Sequence, residues 1–177
     1  MASDFFTVDT VLLRTLYVLV FMEIHSRRIL YANCTSNPNS AWVTQQARNL
    51  AWKLEDLELP IQLFIHDRDS KFVGDFDNVL RRQGARVALT PYRRPRANAH
   101  CERLIKTIRH EALDWLVIFG ESHLRQVLGQ YIEHYNHRRP HLALALRPPE
   151  AEPSPGNGPV VRRTLLSGLI SEYTRAA

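Results

Sequence analysis

Apolar and polar positions alternate with a period that changes repeatedly along the chain, and each change marks an element. From Asp4 to Thr10 the period is two: Phe5, Thr7 and Asp9 fall on one face and Phe6, Val8 and Thr10 on the other, as in a β-strand. Leu16 to Ile24 is a nearly continuous β-rich run. His25, Ser26, Arg27 and Arg28 form a polar turn, and Ile29 to Asn33 reads as the returning strand, giving three antiparallel strands in succession. Asn37, Pro38, Asn39 and Ser40 then punctuate the chain. Ser40 is the expected N-cap of a helix through about Leu57, with Trp42, Ala47, Leu50, Ala51 and Leu54 along one side. Ile61 to His66 reads as a short buried strand with Asp67 directly beyond it. A helical pattern over about Asp75 to Gln83 stops at Gly84, and Ala85 to Leu89 forms another strand.

The stretch Thr90 to Glu111 starts as an arginine-rich turn, because Pro91 and Pro95 bias the residues before them away from helix, and becomes helical near Asn98. Glu102 falls in the first helical turn, with Lys106 and Arg109 on the same face. Cys101, Ile105, Ile108, Ala112 and Trp115 make a second stripe, expected to pack on a core. Glu121 to Asn136 reads as a further helix. Residues 147–159 hold five prolines and two glycines and read as a linker. Leu165, Leu166, Leu169, Ile170 and Tyr173 then recur at helical spacing. The expected organisation is a core over residues 1–147, a linker over 148–159 and a short helical tail over 160–177. The element order predicts an α/β fold with a mixed sheet and helices on its faces. If the fourth strand lies beside the first, Asp9 and Asp67 become neighbours.

A chain of 177 residues, 45% of them hydrophobic, suits one domain with a real core. The apolar run Val11 to Ile24 is interrupted by Arg14 and Glu23 and is too short for a transmembrane helix, and nothing resembles a cleavable signal peptide, so the expected place is the cytoplasm, with no membrane partner. Cys34 and Cys101 read as reduced packing residues, and His134, His137 and His141 as surface or DNA-facing histidines rather than a zinc site. Charge is concentrated: between Arg81 and Arg147 thirteen Lys and Arg stand against five Asp and Glu, a balance of +8 that leaves −3 for the rest. Such a patch suits a polyanion, of which the phosphate backbone is the commonest.

Asp9 ends a strand, Asp67 follows one and Glu102 opens a helix, so rigid elements aim all three acids. Converging carboxylates repel one another unless a cation bridges them, and Mg²⁺ takes a few carboxylates while completing its shell with water and phosphate oxygens. Two such ions, about 3.5–4 Å apart, suit an in-line displacement at phosphorus.

Four segments carry a family resemblance: Phe5-Phe6-Thr7-Val8-Asp9-Thr10; Ile65-His66-Asp67-Arg68-Asp69-Ser70-Lys71-Phe72; Pro91-Tyr92-Arg93-Arg94-Pro95 with Asn98-Ala99 and Glu102; and Tyr131-Ile132-Glu133-His134-Tyr135-Asn136-His137-Arg138-Arg139-Pro140-His141. In this order they resemble the integrase-type catalytic core of DDE transposases, the group that includes retroviral integrases and insertion-sequence transposases. The resemblance implies a ribonuclease-H-like, mixed five-stranded sheet with helices on both faces. It implies Asp9, Asp67 and Glu102 as catalytic residues and ligands of two Mg²⁺ or Mn²⁺ ions. Arg93, Arg94, Arg96, Lys106, Arg109, Arg138 and Arg139 are then the DNA-binding residues.

The implied activity is a metal-dependent cut at a mobile element's end followed by strand transfer into target DNA. A homo-oligomer on the DNA is the expected assembly. Cytoplasmic, nucleoid-associated placement in a bacterium follows. Asp9 lies eight residues from Met1, short of the DNA-binding region that precedes such cores, so a separate N-terminal helix-turn-helix polypeptide is an expected partner. Two departures stand out: Arg68-Asp69 follows Asp67 where the family often has Asn-Gly, making Asp69 a rival ligand, and Asp67 and Glu102 are only 35 residues apart. Two readings compete with the recombinase: a nuclease on RNA–DNA hybrids or junctions, and a truncated, inactive remnant that only binds DNA without specificity.

Overall fold

The computed structural model describes residues 1–69, 71–72, 75–90, 98–151 and 157–176. Among these, the first three strands are β1 (Ala2–Asp9), β2 (Thr15–Met22) and β3 (Ile29–Thr35), an antiparallel meander as the alternation predicts. Helix α1 (Ser40–Asp56) follows, then β4 (Leu63–His66), α2 (Phe76–Arg82) and β5 (Arg86–Leu89). The sheet order is β3-β2-β1-β4-β5, with β4 parallel to both β1 and β5, so the expected mixed five-stranded sheet is what forms. The cap of α1 is Asn39 rather than Ser40: its side chain accepts from the Trp42 amide at 2.9 Å, one residue from the expected position.

Strand parity divides the core in two. Phe64 of β4 and Leu19 and Phe21 of β2 face α1 and α2, packing on Val43, Ala47, Leu50, Phe76 and Leu80. Ala2, Phe6 and Val8 of β1 face the other way, towards α3 (Ala99–Glu111) and α4 (Glu121–His137). Helix α3 buries Cys101, Leu104 and Ile108 against that face, with Ala112 beyond its end. The stripe therefore runs through Leu104 more deeply than through Ile105. Trp115 is 67% exposed, contrary to the expected stripe, because the helix ends at Glu111 and the backbone turns out of register before a 3-10 turn. Both cysteines are free and buried, and burial pushes the Cys34 thiol up to about 11.

Two polar devices fasten α4. Asn136, almost fully buried, accepts from the Ile29 amide and donates to the Ile29 carbonyl, both at 2.9 Å, so one side chain satisfies both main-chain groups at the start of β3. At the other seam, Arg139 grips Glu111 through Nε and Nη2 at 2.7 and 2.6 Å, and the Tyr131 hydroxyl donates to the same carboxylate at 2.7 Å. Burial alone would raise the Glu111 carboxyl, but the hydrogen bonds from Arg139 and Tyr131 outweigh it and hold the group below its usual range.

The chain's last segment departs from expectation. In place of a helical tail, β6 (Val160–Leu165) and β7 (Ile170–Arg175) form an antiparallel hairpin separate from the main sheet. Val160, Val161, Thr164, Ile170 and Thr174 favour strand, and Leu166, Ser167 and Gly168 take positive φ in the turn, which no helix tolerates. No helix among the described residues is long and apolar enough to cross a membrane.

Asn136→Ala leaves the Ile29 amide and carbonyl without their side-chain partner, and denaturant unfolding should show a loss of about 1–3 kcal/mol for each stranded group. For Glu111 the sign follows from its lowered pKa: its ion pair stabilises the fold above the unfolded value of 4.5, and that stability fades as pH falls through the lower folded value. Glu111→Gln should therefore unfold more readily at pH 7, and the gap to wild type should shrink as pH falls below 4.5 in pH-dependent melting.

Candidate functional site

The acids are gathered by register. Ala2 pairs with Ile65 across the parallel β1–β4 seam, and the Ile65 amide donates to the Met1 carbonyl at 3.0 Å. The same offset sets Asp67, just past β4, level with Asp4. Parity does the rest: Asp4 shares its face of β1 with Phe6 and Val8, and Asp67 shares its face with Ile65, so both carboxylates lie on the α3 side of the sheet. Asn98, buried at the start of α3, donates its side-chain amide to the Ser3 carbonyl at 3.1 Å, which holds the first helical turn, and Glu102 with it, over this end of β1.

Electrostatics record the convergence. Burial and the nearby carboxylates of Asp67, Glu102 and Asp69 push the Asp4 carboxyl up to about 6, against the opposing hydrogen bond from the Phe5 amide. Two buried polar atoms at this end of β1 and α3, Ser3 Oγ and Asn98 Oδ1, have no hydrogen-bond partner among the described residues. Asp67 Oδ1 accepts from the Asp69 amide at 3.0 Å. Asp69 itself is occupied, its carboxylate taking the Lys71 ammonium at 2.7 Å and the Lys71 amide at 2.9 Å. Of the two rival acids, Asp67 is thus the one with no cation partner among the described residues. The other carboxylates raise the proton affinity of Asp4, but the group does not close on a common point: among the described residues no three His, Cys, Asp or Glu side chains stand close enough to hold a metal ion.

Asp9 does not join them. It lies five residues beyond Asp4 on an unbroken strand, roughly 16 Å away at about 3.3 Å per residue, and by parity on the opposite face. There it is exposed and accepts from the Thr15 hydroxyl at 2.7 Å, closing the β1–β2 hairpin. The expectation that Asp9 neighbours Asp67 is therefore corrected, and Asp4 takes the place. A signal was present in the sequence: Asp4 has the parity of Phe6 and Val8, and an acid on the buried face of a strand is unusual without a reason.

The expected DNA-binding cations separate into groups. Arg93, Arg94 and Arg96 lie outside the described residues. Lys106 is exposed on the Glu102 side of α3, and Arg138 is exposed just past α4. Arg109 instead donates to the Thr7 carbonyl and lies over the Phe6 ring, 5.5 Å from its centroid, clamping α3 to β1. Arg139 is held in the Glu111 pair. The histidines are not outward-facing either: His134 pairs with Glu172 at 2.8 Å, His137 sits between Glu133 and Glu150, and His141 is buried. Glu172 and Glu150 come from distant segments that no local spacing reveals, whereas Glu133 is the i,i+4 neighbour of His137 on α4.

Residues 83–149 match the family described as integrase core domain. No curated protein sequence matches the chain. Among solved structures, the catalytic domain of Mos1 mariner transposase aligns with a TM-score of 0.62 at 15% identity, over 75% of this chain and 68% of that one. A chain of the simian T-cell lymphotropic virus intasome in complex with PP2A regulatory subunit B56 gamma gives 0.65 at 13% identity, over 99% of this chain and 66% of that one. The catalytic core domain of BIV integrase gives 0.51 at 13% identity, over 84% and 90%. The Mos1 domain has also been solved with Mn and with Mg. At such identities the likeness is one of fold: a mixed five-stranded sheet with helices on both faces, the ribonuclease-H-like arrangement. Residues 83–149 thus match the integrase core domain family, and the chain as a whole has the fold of transposase and integrase catalytic cores.

Proposed function

We propose that the chain catalyses phosphodiester cleavage and strand transfer on DNA, with Asp4, Asp67 and Glu102 as its catalytic carboxylates. The observation that carries this reading is the β1–β4 register, which sets Asp4 level with Asp67 on the face that α3 covers with Glu102. The donor set fits a hard divalent cation, Mg²⁺ or Mn²⁺: three carboxylates whose like charges no ion pair neutralises among the described residues, with the nearby Cys101 buried as a protonated thiol. A small inward turn of the exposed Glu102 side chain would complete the set. Such a cation, when bound, would polarise a phosphate oxygen and make the attacking oxygen more acidic.

The chain's own residues supply the rest. Asn98 fixes the helix that carries Glu102, and Lys71 removes Asp69 from competition. Lys106, one turn along from Glu102, offers a cation to a DNA phosphate next to the site. A water at the element's end and then the freed 3′-hydroxyl would act as nucleophiles in line with the leaving oxygen. Assembly on DNA as a homo-oligomer belongs to the same proposal, in keeping with the intasome whose chain shares the fold.

Substitution separates Asp4 from Asp9. Asp4→Asn and Asp67→Asn should each lower metal-dependent joining of element ends to target DNA by more than the ~10–100-fold that loss of an outer-sphere partner costs, while Asp9→Asn stays near wild type. Retained joining in Asp4→Asn, or its loss only in Asp9→Asn, would sink the assignment. No joining by the wild type with authentic ends and Mn²⁺ would instead favour the non-enzymatic DNA-binding reading.

Stability gives a second readout. The raised Asp4 carboxyl makes the folded state hold a proton more tightly than the unfolded chain, so stability is full below 3.8 and is lost as pH rises towards about 6. Asp4→Asn should therefore melt higher than wild type at pH 7 in EDTA, by an amount worth about 1–3 kcal/mol, with a flatter profile on the acid side. Mg²⁺ should raise the melting temperature of wild type and not of Asp4→Asn.

A further inference from the structure

Helix α3 has a third face besides those that meet the core and the carboxylates. His100, Arg103 and Thr107 follow one another at steps of three and four along it, turned away from Glu102 and Lys106. They form one wall of a cleft of about 190 Å³. Its other walls are Arg27, from the turn between β2 and β3, and Arg139 and His141, from the segment after α4. Three separate parts of the chain thus bring three guanidinium groups and two imidazoles to one concavity, and none of its lining residues is acidic. Arg139 spends Nε and Nη2 on Glu111, and its Nη1 makes only long contacts, to the Pro140 carbonyl at 3.4 Å and His141 Nδ1 at 3.5 Å. Arg27 and Arg103 have no carboxylate partner among the described residues; Arg27 Nη1 donates to His100 Nδ1.

Such crowding is unfavourable by itself, and the backbone adds to the cost. Arg27 sits at φ 67°, in the left-handed region where glycine is the easy choice. The turn therefore accepts a strained residue that carries a guanidinium to the cleft.

We propose that this cleft is a phosphate-binding site, taking a single tetrahedral oxyanion between Arg27 and Arg103, with the weakly engaged Arg139 Nη1 at its rim. At about 190 Å³ the cleft has room for a phosphate group with several waters, each occupying ~30 Å³. Guanidinium forks match phosphate oxygens pairwise, and Thr107 adds a hydroxyl donor. The group bound is either a phosphodiester of a DNA strand running along the side of α3 opposite Lys106, or a free phosphate or nucleotide. The inference stands on the cleft and does not require the carboxylate site to be active.

Arg27→Gly suits the test, since glycine adopts the turn without strain, and exposed Arg103→Gln keeps α3 intact. Inorganic phosphate, against chloride at matched ionic strength, should raise the melting temperature of wild type, and the shift should vanish in both variants, with Arg27→Gly melting no lower than wild type in chloride. In the second arm, anisotropy of a labelled DNA duplex should show about tenfold weaker binding by each variant, the loss of one charge-assisted hydrogen bond, with a salt slope reduced by about one. Loss of both responses assigns the site to the DNA backbone. Loss of the phosphate shift with unchanged DNA affinity assigns it to a free phosphate species. An equal phosphate shift in wild type and both variants, or no phosphate shift in wild type together with unaltered DNA affinity, overturns the proposal, and joining activity bears on neither result.

Discussion

One hydrogen bond, from the side-chain amide of Asn98 to the main-chain carbonyl of Ser3, settles where helix α3 begins relative to strand β1. Everything chemical in the molecule depends on that placement. A strand carbonyl is a fixed point in a five-stranded sheet, and an amide buried on it cannot slide without stranding both partners. The stripe of Cys101, Leu104 and Ile108 then sets the rotation of the helix about its axis, and Arg109, bound to Thr7 and lying over Phe6, fixes its far end. With translation and rotation determined, each remaining face of α3 has an assigned neighbour: the carboxylates of β1 and β4 on one side and the cationic cleft on the other.

The Tyr131–His141 segment is explained by fastening more than by display. Tyr131 and Arg139 share Glu111, Asn136 closes the edge of β3, and His141 is buried against Tyr135. Residue types that suggest a surface for nucleic acid are here spent on joining α3, α4 and β3. The consequence for the cleft is direct, because its rim moves only if these fastenings move. A preformed rim loses little conformational freedom when a ligand arrives.

Much of this was legible in the sequence, and what was not has identifiable causes. The meander, the crossovers, the buried thiols and Glu102 in a first helical turn follow from local period and punctuation, which are local physics. The choice between Asp4 and Asp9 needs the register of β1 against β4, a long-range quantity; parity alone hinted at it, since Asp4 shares a face with Phe6 and Val8. Leu165, Leu166, Leu169, Ile170 and Tyr173 satisfy a helical spacing, but a turn at Leu166–Gly168 lets the same residues serve a hairpin, and β-branched neighbours decide the matter. The roles of Arg109 and Arg139 were out of reach because a long side chain's partner is set by tertiary packing, not by its neighbours in sequence.

The hairpin of β6 and β7 has a different standing from the rest of the fold. Among the described residues its strands pair only with each other, and it rests on α4 through Leu165, Leu166, Ile170, the Leu166 amide donating to Gln130, and the ion pair of Glu172 with His134. So small a seam gives it a local opening free energy well under that of the sheet, so it is a separate cooperative unit. Amide exchange would distinguish two clocks in this one chain, a fast one in the hairpin and a slow one in the strands that carry the acids.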